Sequence, residues 1–227
     1  MEIRKPIHDR VLKATTKEEL KAAYRDWAAR YDHDLVNEMG YVAPKIASDL
    51  LLKYLDEANA DILDAGCGTG LVGSIVHKCG YTNIDGFDYS PEMLEKAAAK
   101  GIYRSLLEGD LMNALNIVDG RYDAVISVGT FTCGHVGPQA LDELVRITKP
   151  GGYICFTVRE QAWEEDRYIA KIEEITGAGA WEMKEMHTAD YIQQEGASCK
   201  ACLYRRNPLI SARITNDCTS PRPGDRP

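Results

Sequence analysis

An α/β protein built on one doubly wound, mostly parallel sheet of seven strands is the architecture this chain predicts, and three observations carry that expectation. From residue 60 onward, short apolar runs alternate with helical repeats. The first of these runs, Ile62 to Ala65, breaks into Gly66-Cys67-Gly68-Thr69-Gly70 ahead of an apolar helical pattern, the sequence form of a strand, a tight loop and a helix. The 227 residues, 44% hydrophobic and 27% charged, have the ordinary composition of one main globular domain.

Ahead of the sheet, Thr16 followed by Glu19 has the spacing of a capping box, and Leu20, Ala23, Tyr24, Trp27, Ala28 and Tyr31 recur at helical intervals. A second helix starts near Pro44 and carries Ile46, Ala47, Leu50, Leu51, Tyr54 and Leu55 on one side. Residues 1–58 are therefore expected to form an amino-terminal helical cover. Strands are expected at 62–65, 84–88, 104–108, 124–129, 153–158, 181–187 and 200–204. Between them fall helices over 71–78 and 91–100, the latter capped by Ser90 and stopped by Gly101, and one opened by Pro138 with Leu141, Leu144, Val145 and Ile147. Such alternation requires right-handed crossovers and gathers ligands at the carboxyl ends of the strands. Residues 59–204 are assigned to this core and 205–227, with four prolines from Pro208 to Pro227 and little apolar periodicity, to a disordered tail.

The net charge of −8 is uneven. Residues 205–227 hold five arginines against two aspartates, a local +3 that leaves −11 for the rest, a poor partner for a nucleic-acid backbone. No apolar run is long enough to span a membrane, and Glu2, Arg4, Lys5, His8 and Asp9 break up any signal-peptide core. Seven scattered cysteines argue for a reducing compartment, so a soluble intracellular protein, cytoplasmic or nuclear, is expected. Cys199 and Cys202 form the only close pair. No second pair completes a metal site, and residues three apart on a strand point to opposite faces, so no metal is expected.

Gly68-Thr69-Gly70-Leu71-Val72-Gly73 also reads as G-x-G-x-x-G, with Asp88 about twenty residues on, which would suit an NAD(P)-dependent oxidoreductase. Charge argues otherwise. Asp64 ends the first strand, where it would face a dinucleotide's pyrophosphate but would attract the sulfonium and ammonium of S-adenosylmethionine. Asp88 is expected to accept both ribose hydroxyls, with Tyr89 and Met93 offering surfaces for adenine. Asp110 is placed to accept from the adenine amine, with the Leu111 amide facing a ring nitrogen and Val128 near the end of the fourth strand.

The run Asp64-Ala65-Gly66-Cys67-Gly68-Thr69-Gly70, the acids Asp88 and Asp110, and Lys149-Pro150-Gly151-Gly152 together resemble the class I S-adenosylmethionine-dependent methyltransferases over most of residues 60–158. More narrowly, residues 24–32 (YRDWAARYD), the glycine loop and Gly134-His135-Val136-Gly137-Pro138 resemble the methyltransferase-like proteins of the Williams–Beuren syndrome region, a small vertebrate family. The resemblance implies a Rossmann-like sheet with an antiparallel last strand, S-adenosylmethionine as cofactor and S-adenosylhomocysteine as product.

Trp27 and Tyr31, four apart, read either as core or as a lid over the cofactor. Cys67 has no adjacent histidine and reads as a small loop residue rather than a nucleophile. Should the acceptor carry a proton, His135 in the loop after the fourth strand is the candidate base, with a backbone-bonding histidine as the alternative. That loop lacks the Asn/Asp-Pro-Pro-aromatic sequence of nucleic-acid amino methyltransferases, which with the acidic body points to a small-molecule or protein acceptor. A non-catalytic cofactor-binding protein of the same fold stays open as an alternative.

Overall fold

The computed structural model describes residues 6–132, 136–165 and 167–208. Two strands, Ile62–Ala65 (β1) and Ile84–Asp88 (β2), are buried along their whole length because helices cover both faces of the sheet. With Ser105–Glu108 (β3), Tyr122–Phe131 (β4), Thr148–Arg159 (β5), Trp181–Ile192 (β6) and Ala197–Arg206 (β7) they form one sheet in the order β3-β2-β1-β4-β5-β7-β6. The first five strands are parallel, while β7 runs antiparallel to both β5 and β6. Strand order reverses direction between β1 and β4, and the crevice at such a reversal is where doubly wound sheets bind ligands.

The helices are Pro6–Lys13 (α1), Lys17–Trp27 (α2), Ala43–Leu52 (α3), Leu71–Lys78 (α4), Pro91–Ala98 (α5), Ala140–Ile147 (α6), Glu160–Glu165 (α7) and Tyr168–Gly177 (α8), with a wide π-type turn over His33–Glu38. Thr16 caps α2 by accepting the Glu19 amide, and Ser90 caps α5 by accepting the Met93 amide. The amino-terminal helices share one apolar cluster with the sheet: Val11, Leu20, Ala23 and Trp27 belong to the same buried group as Ile62, Ala124 and Ala201. Helices α1, α7 and α8 had no expected counterpart. Each is ten residues or shorter, and much of its surface is exposed.

The sheet departs from expectation mainly in strand length. β6 and β7 form a long antiparallel hairpin whose ends extend beyond the apolar runs, and β5 begins at Thr148, five residues early. Consequently Arg205 and Arg206 belong to β7 and not to a tail. Arg206 Nη1 donates to the carbonyls of Arg146 and Thr148, and Arg205 Nε donates to the Gly151 carbonyl at 3.0 Å. The remainder of the expected tail, residues 209–227, lies outside the described residues. Cys199 and Cys202 are both free and fully buried on opposite faces of β7, each in a different apolar cluster.

Candidate functional site

The strand ends on the reversal crevice open into a cleft of about 790 Å³ of atom-free space. Its floor and walls include Gly66, Gly68, Asp88, Tyr89, Met93, Asp110, Leu111 and Val128, and Tyr31 faces it from the helical cover. Nine residues expected to meet a cofactor thus surround one space, although they come from five separate segments.

The glycine loop is tied to β2. The amides of Gly66 and Cys67 donate to the Phe87 carbonyl at 2.7 and 3.0 Å, and the Gly68 amide donates to Asp88 Oδ2 at 2.7 Å. Asp88 Oδ1 accepts the Ser90 amide at 2.9 Å. Gly66 has φ +77°, and a Cβ there would stand 2.2 Å from Thr130 Oγ1, so both conformation and close approach require glycine.

Asp64 is 1% exposed and lies behind the loop rather than in its mouth. Its Oδ2 accepts from Tyr103 Oη at 2.7 Å and from the Gly73 amide at 3.1 Å, while the equally buried Oδ1 has no hydrogen-bond partner. Burial pushes this carboxyl up to about 7 against those two bonds, and the neighbouring Asp88 charge adds to the rise. Burial also raises Asp88, opposed by the Ser90 and Gly68 amides. At Asp110 burial works the same way, but the bonds from Lys17 and the Met112 amide outweigh it and hold the carboxyl below its ordinary value.

Helix α2 lies over the cleft, contributing Leu20 and Tyr24, and is fastened at both ends. Lys17, at its start, pairs with Asp110. Asp32, just beyond its end, accepts from the Thr69 hydroxyl and from Lys100 Nζ, the latter at 2.7 Å. Asp110 has lone pairs left beyond those given to Lys17 and Met112, so an adenine amine can still be accommodated.

Several expected residues do not face the cleft. Ala65 is wholly buried in β1, and Thr69 and Gly70 are held by Asp32 and beside the Tyr103 ring. Cys67 is 6% exposed and its thiol is pushed far up by burial and by Asp64, so it is inert. Trp27 corrects the lid expectation. Its Nε1 donates to buried Asp34 Oδ2 at 3.0 Å, and its ring packs edge-on to Tyr31 at 4.8 Å, facing a second, smaller cavity instead. His135 lies outside the described residues. Sequence reading missed Lys17, Tyr24, Asp32 and Tyr103; Tyr24, seven residues before Tyr31 on the same periodic face, carried the one available signal.

A parallel sheet with this strand order, an antiparallel β7 and a glycine loop between β1 and α4 define the class I methyltransferase fold. Residues 62–152 match the family described as Methyltransferase domain, and the chain belongs to the class I methyltransferases. Among curated proteins it is 38% identical over 165 residues to Methyltransferase-like protein 27 of Homo sapiens, covering 70% of this chain and 66% of that one. It is also 38% identical over 112 residues to the Malonyl-[acyl-carrier protein] O-methyltransferase of Pectobacterium atrosepticum, covering 45% and 43%. The chain thus spans less than two thirds of the length of these relatives. Two solved structures share the fold: the [4+2]-cyclase SpnF (TM-score 0.66, 17% identity, 86% and 97% covered) and magnesium protoporphyrin IX methyltransferase of Synechocystis PCC 6803 with bound S-adenosylmethionine (0.60, 16%, 82% and 97%).

Proposed function

We propose that this protein is an S-adenosylmethionine-dependent methyltransferase acting on a small-molecule or protein acceptor. The observation that carries the reading is the set of strand-end carboxylates around a glycine loop, Asp88 and Asp110 facing the cleft and Asp64 buried behind the loop. Their negative charge favours a cationic ligand, and the ammonium and sulfonium of S-adenosylmethionine supply cations where a dinucleotide would bring a pyrophosphate. When bound, the cofactor supplies an electrophilic methyl carbon, taken by an acceptor lone pair as the carbon–sulfur bond breaks and leaves its electrons on sulfur.

The chain's own residues bind and orient. Asp88 accepts the ribose hydroxyls, Tyr89 and Met93 flank the adenine, Asp110 and the Leu111 amide meet its edge, and the Gly66–Gly70 backbone lets the methionine portion approach closely. Helix α2, pinned by Lys17 and Asp32, excludes water, and alignment is most of what an in-line displacement needs. For an acceptor that carries a proton, His135 is the base. Free Cys67, Cys79, Cys155, Cys199 and Cys202 and the composition fit a reducing compartment, cytoplasmic or nuclear.

Titration calorimetry tests the cofactor: S-adenosylmethionine and S-adenosylhomocysteine should bind, and NAD and NADP should not. Saturable nicotinamide binding without adenosylmethionine binding reverses the assignment. Because a cyclase shares this fold, transfer itself is tested separately with labelled methyl donor and fractionated extracts. Cofactor binding with no labelled product would favour a non-catalytic or differently catalytic protein. His135→Ala should keep cofactor affinity while lowering turnover roughly a hundredfold or more.

A further inference from the structure

Behind the helical cover lies a second, much narrower cavity, which shares Tyr24, Tyr31 and Gly129 with the cleft. Its walls include Val11, Leu12, Trp27, Leu35 and Ile192, with Tyr41, Arg159 and Tyr191 among its polar residues. Nearest the cleft are two hydroxyls: a Cβ on Gly129 would stand 2.3 Å from Tyr41 Oη and 3.4 Å from Tyr191 Oη. The Tyr41 and Tyr191 rings pack edge to face, with centres 5.1 Å apart. Next comes the Tyr191 ring, with the Arg159 guanidinium carbon 6.0 Å from its centre.

Arg159 ends β5 with its side chain nine-tenths buried. Among the described residues its guanidinium meets one acceptor, Glu195 Oε2, through a 3.4 Å contact from Nη2. Glu195 Oε1 is held closer, at 2.7 Å, by His8 Nδ1. A guanidinium has five N–H donors in a fork that matches a planar oxyanion, and a buried one with a single long bond is poorly satisfied. Burying that cation in an apolar wall is costly unless a stronger anionic partner completes it.

The geometry points to this cavity as the acceptor's pocket, taking a small carboxylate-bearing molecule with a short apolar body. Arg159 grips the carboxylate at the far end, and the reacting atom faces Gly129 beside the Tyr191 hydroxyl. The carboxylate is a handle here and Arg159 a specificity-determining residue. A cavity this small behind α1 and α2 fits a free metabolite rather than a side chain on a folded protein. The assignment of an acceptor rests on the methyl-donor reading of the cleft; the anion site itself rests on Arg159.

Ligand-detected NMR titrations of the full chain, with and without S-adenosylhomocysteine, can use benzoate, phenylacetate and hexanoate beside their uncharged amides. At least one acid should bind saturably, with its amide weaker by about tenfold to a hundredfold, the range for hydrogen bonds to a charged group. Arg159→Gln should remove the preference for acid over amide, and Glu195→Gln, which removes the competing carboxylate, should strengthen acid binding. Equal binding of acid and amide, no saturable acid binding, or a preference that survives Arg159→Gln overturns the proposal. If Arg159→Gln does not fold, the wild-type comparison and Glu195→Gln decide. Acid preference without S-adenosylhomocysteine binding would keep the anion site and sink the methyl-donor reading; the converse would do the opposite.

Discussion

The two cavities that meet at Gly129 are built from opposite charges. The cleft gathers Asp88 and Asp110 at strand ends, where backbone amides and one lysine satisfy their oxygens, with Asp64 buried behind the glycine loop. Behind the cleft, a single buried arginine faces aromatic and aliphatic walls. A cleft rich in partly satisfied carboxylates selects a cation-bearing ligand, and a pocket with an under-satisfied guanidinium selects an anion. The contrast orders two ligands around a shared boundary of Tyr24, Tyr31 and Gly129, where the glycine leaves room between the two spaces.

The cleft's half of this contrast breaks most readily at its turn. Gly66→Ala adds a Cβ to a residue at φ +77° and drives it into Thr130, so it should cost about 2 to 4 kcal/mol of stability, combining left-handed strain and overpacking, and abolish measurable cofactor binding. Chemical denaturation and calorimetry check both. Asp88→Ala leaves the turn glycines in place and should weaken S-adenosylhomocysteine by about 1.5 to 3 kcal/mol. An analogue lacking the ribose hydroxyls should lose much less on the same mutation; equal losses would deny Asp88 its role as hydroxyl acceptor.

Acidity sharpens the comparison further. Asp64 has its folded value raised to about 7 from an ordinary 3.8, so its contribution to the stability of the unliganded protein is complete below about pH 4 and is lost as pH rises through 7. Cofactor affinity should move the other way, increasing from about pH 5 to 7 as Asp64 ionises behind the glycine loop and its charge attracts a bound cation at a distance. Asp64→Asn should flatten the stability loss and reduce the affinity slope, leaving the part due to Asp88, whose carboxyl burial also raises. Denaturant midpoints and calorimetry across that range give both curves. The smallest effect is expected at Lys17→Ala. Its partly exposed pair with Asp110 should contribute no more than about 1 kcal/mol to stability, while faster cofactor release in stopped flow would reveal its role in fastening α2.

Legibility followed distance along the chain. Asp64 through Gly70, Asp88 to Met93 and Asp110 with Leu111 each sit in a short run where strand, turn and helix signals meet, so spacing alone located them. Tyr103 could not be found this way, because its bond to Asp64 spans 39 residues and depends on how β3 is approached. Trp27 shows the limit of a helical repeat: periodicity put it on a buried face, and Asp34 decided which cavity that face met.

By itself the sequence determined the alternation of strands and helices, the glycine turn after β1 and the acids at three strand ends, since these follow from local backbone preference and apolar period. Tertiary structure alone decided which elements fasten α2 over the cleft, and that His8, Tyr41, Arg159 and Tyr191 share a second cavity, with Glu195 bonded to His8 and Arg159. Those residues come from an amino-terminal helix, a loop, the end of β5 and a hairpin, and no local rule relates their charges. The long-range packing of sheet and cover brings them together and sets what each must neutralise.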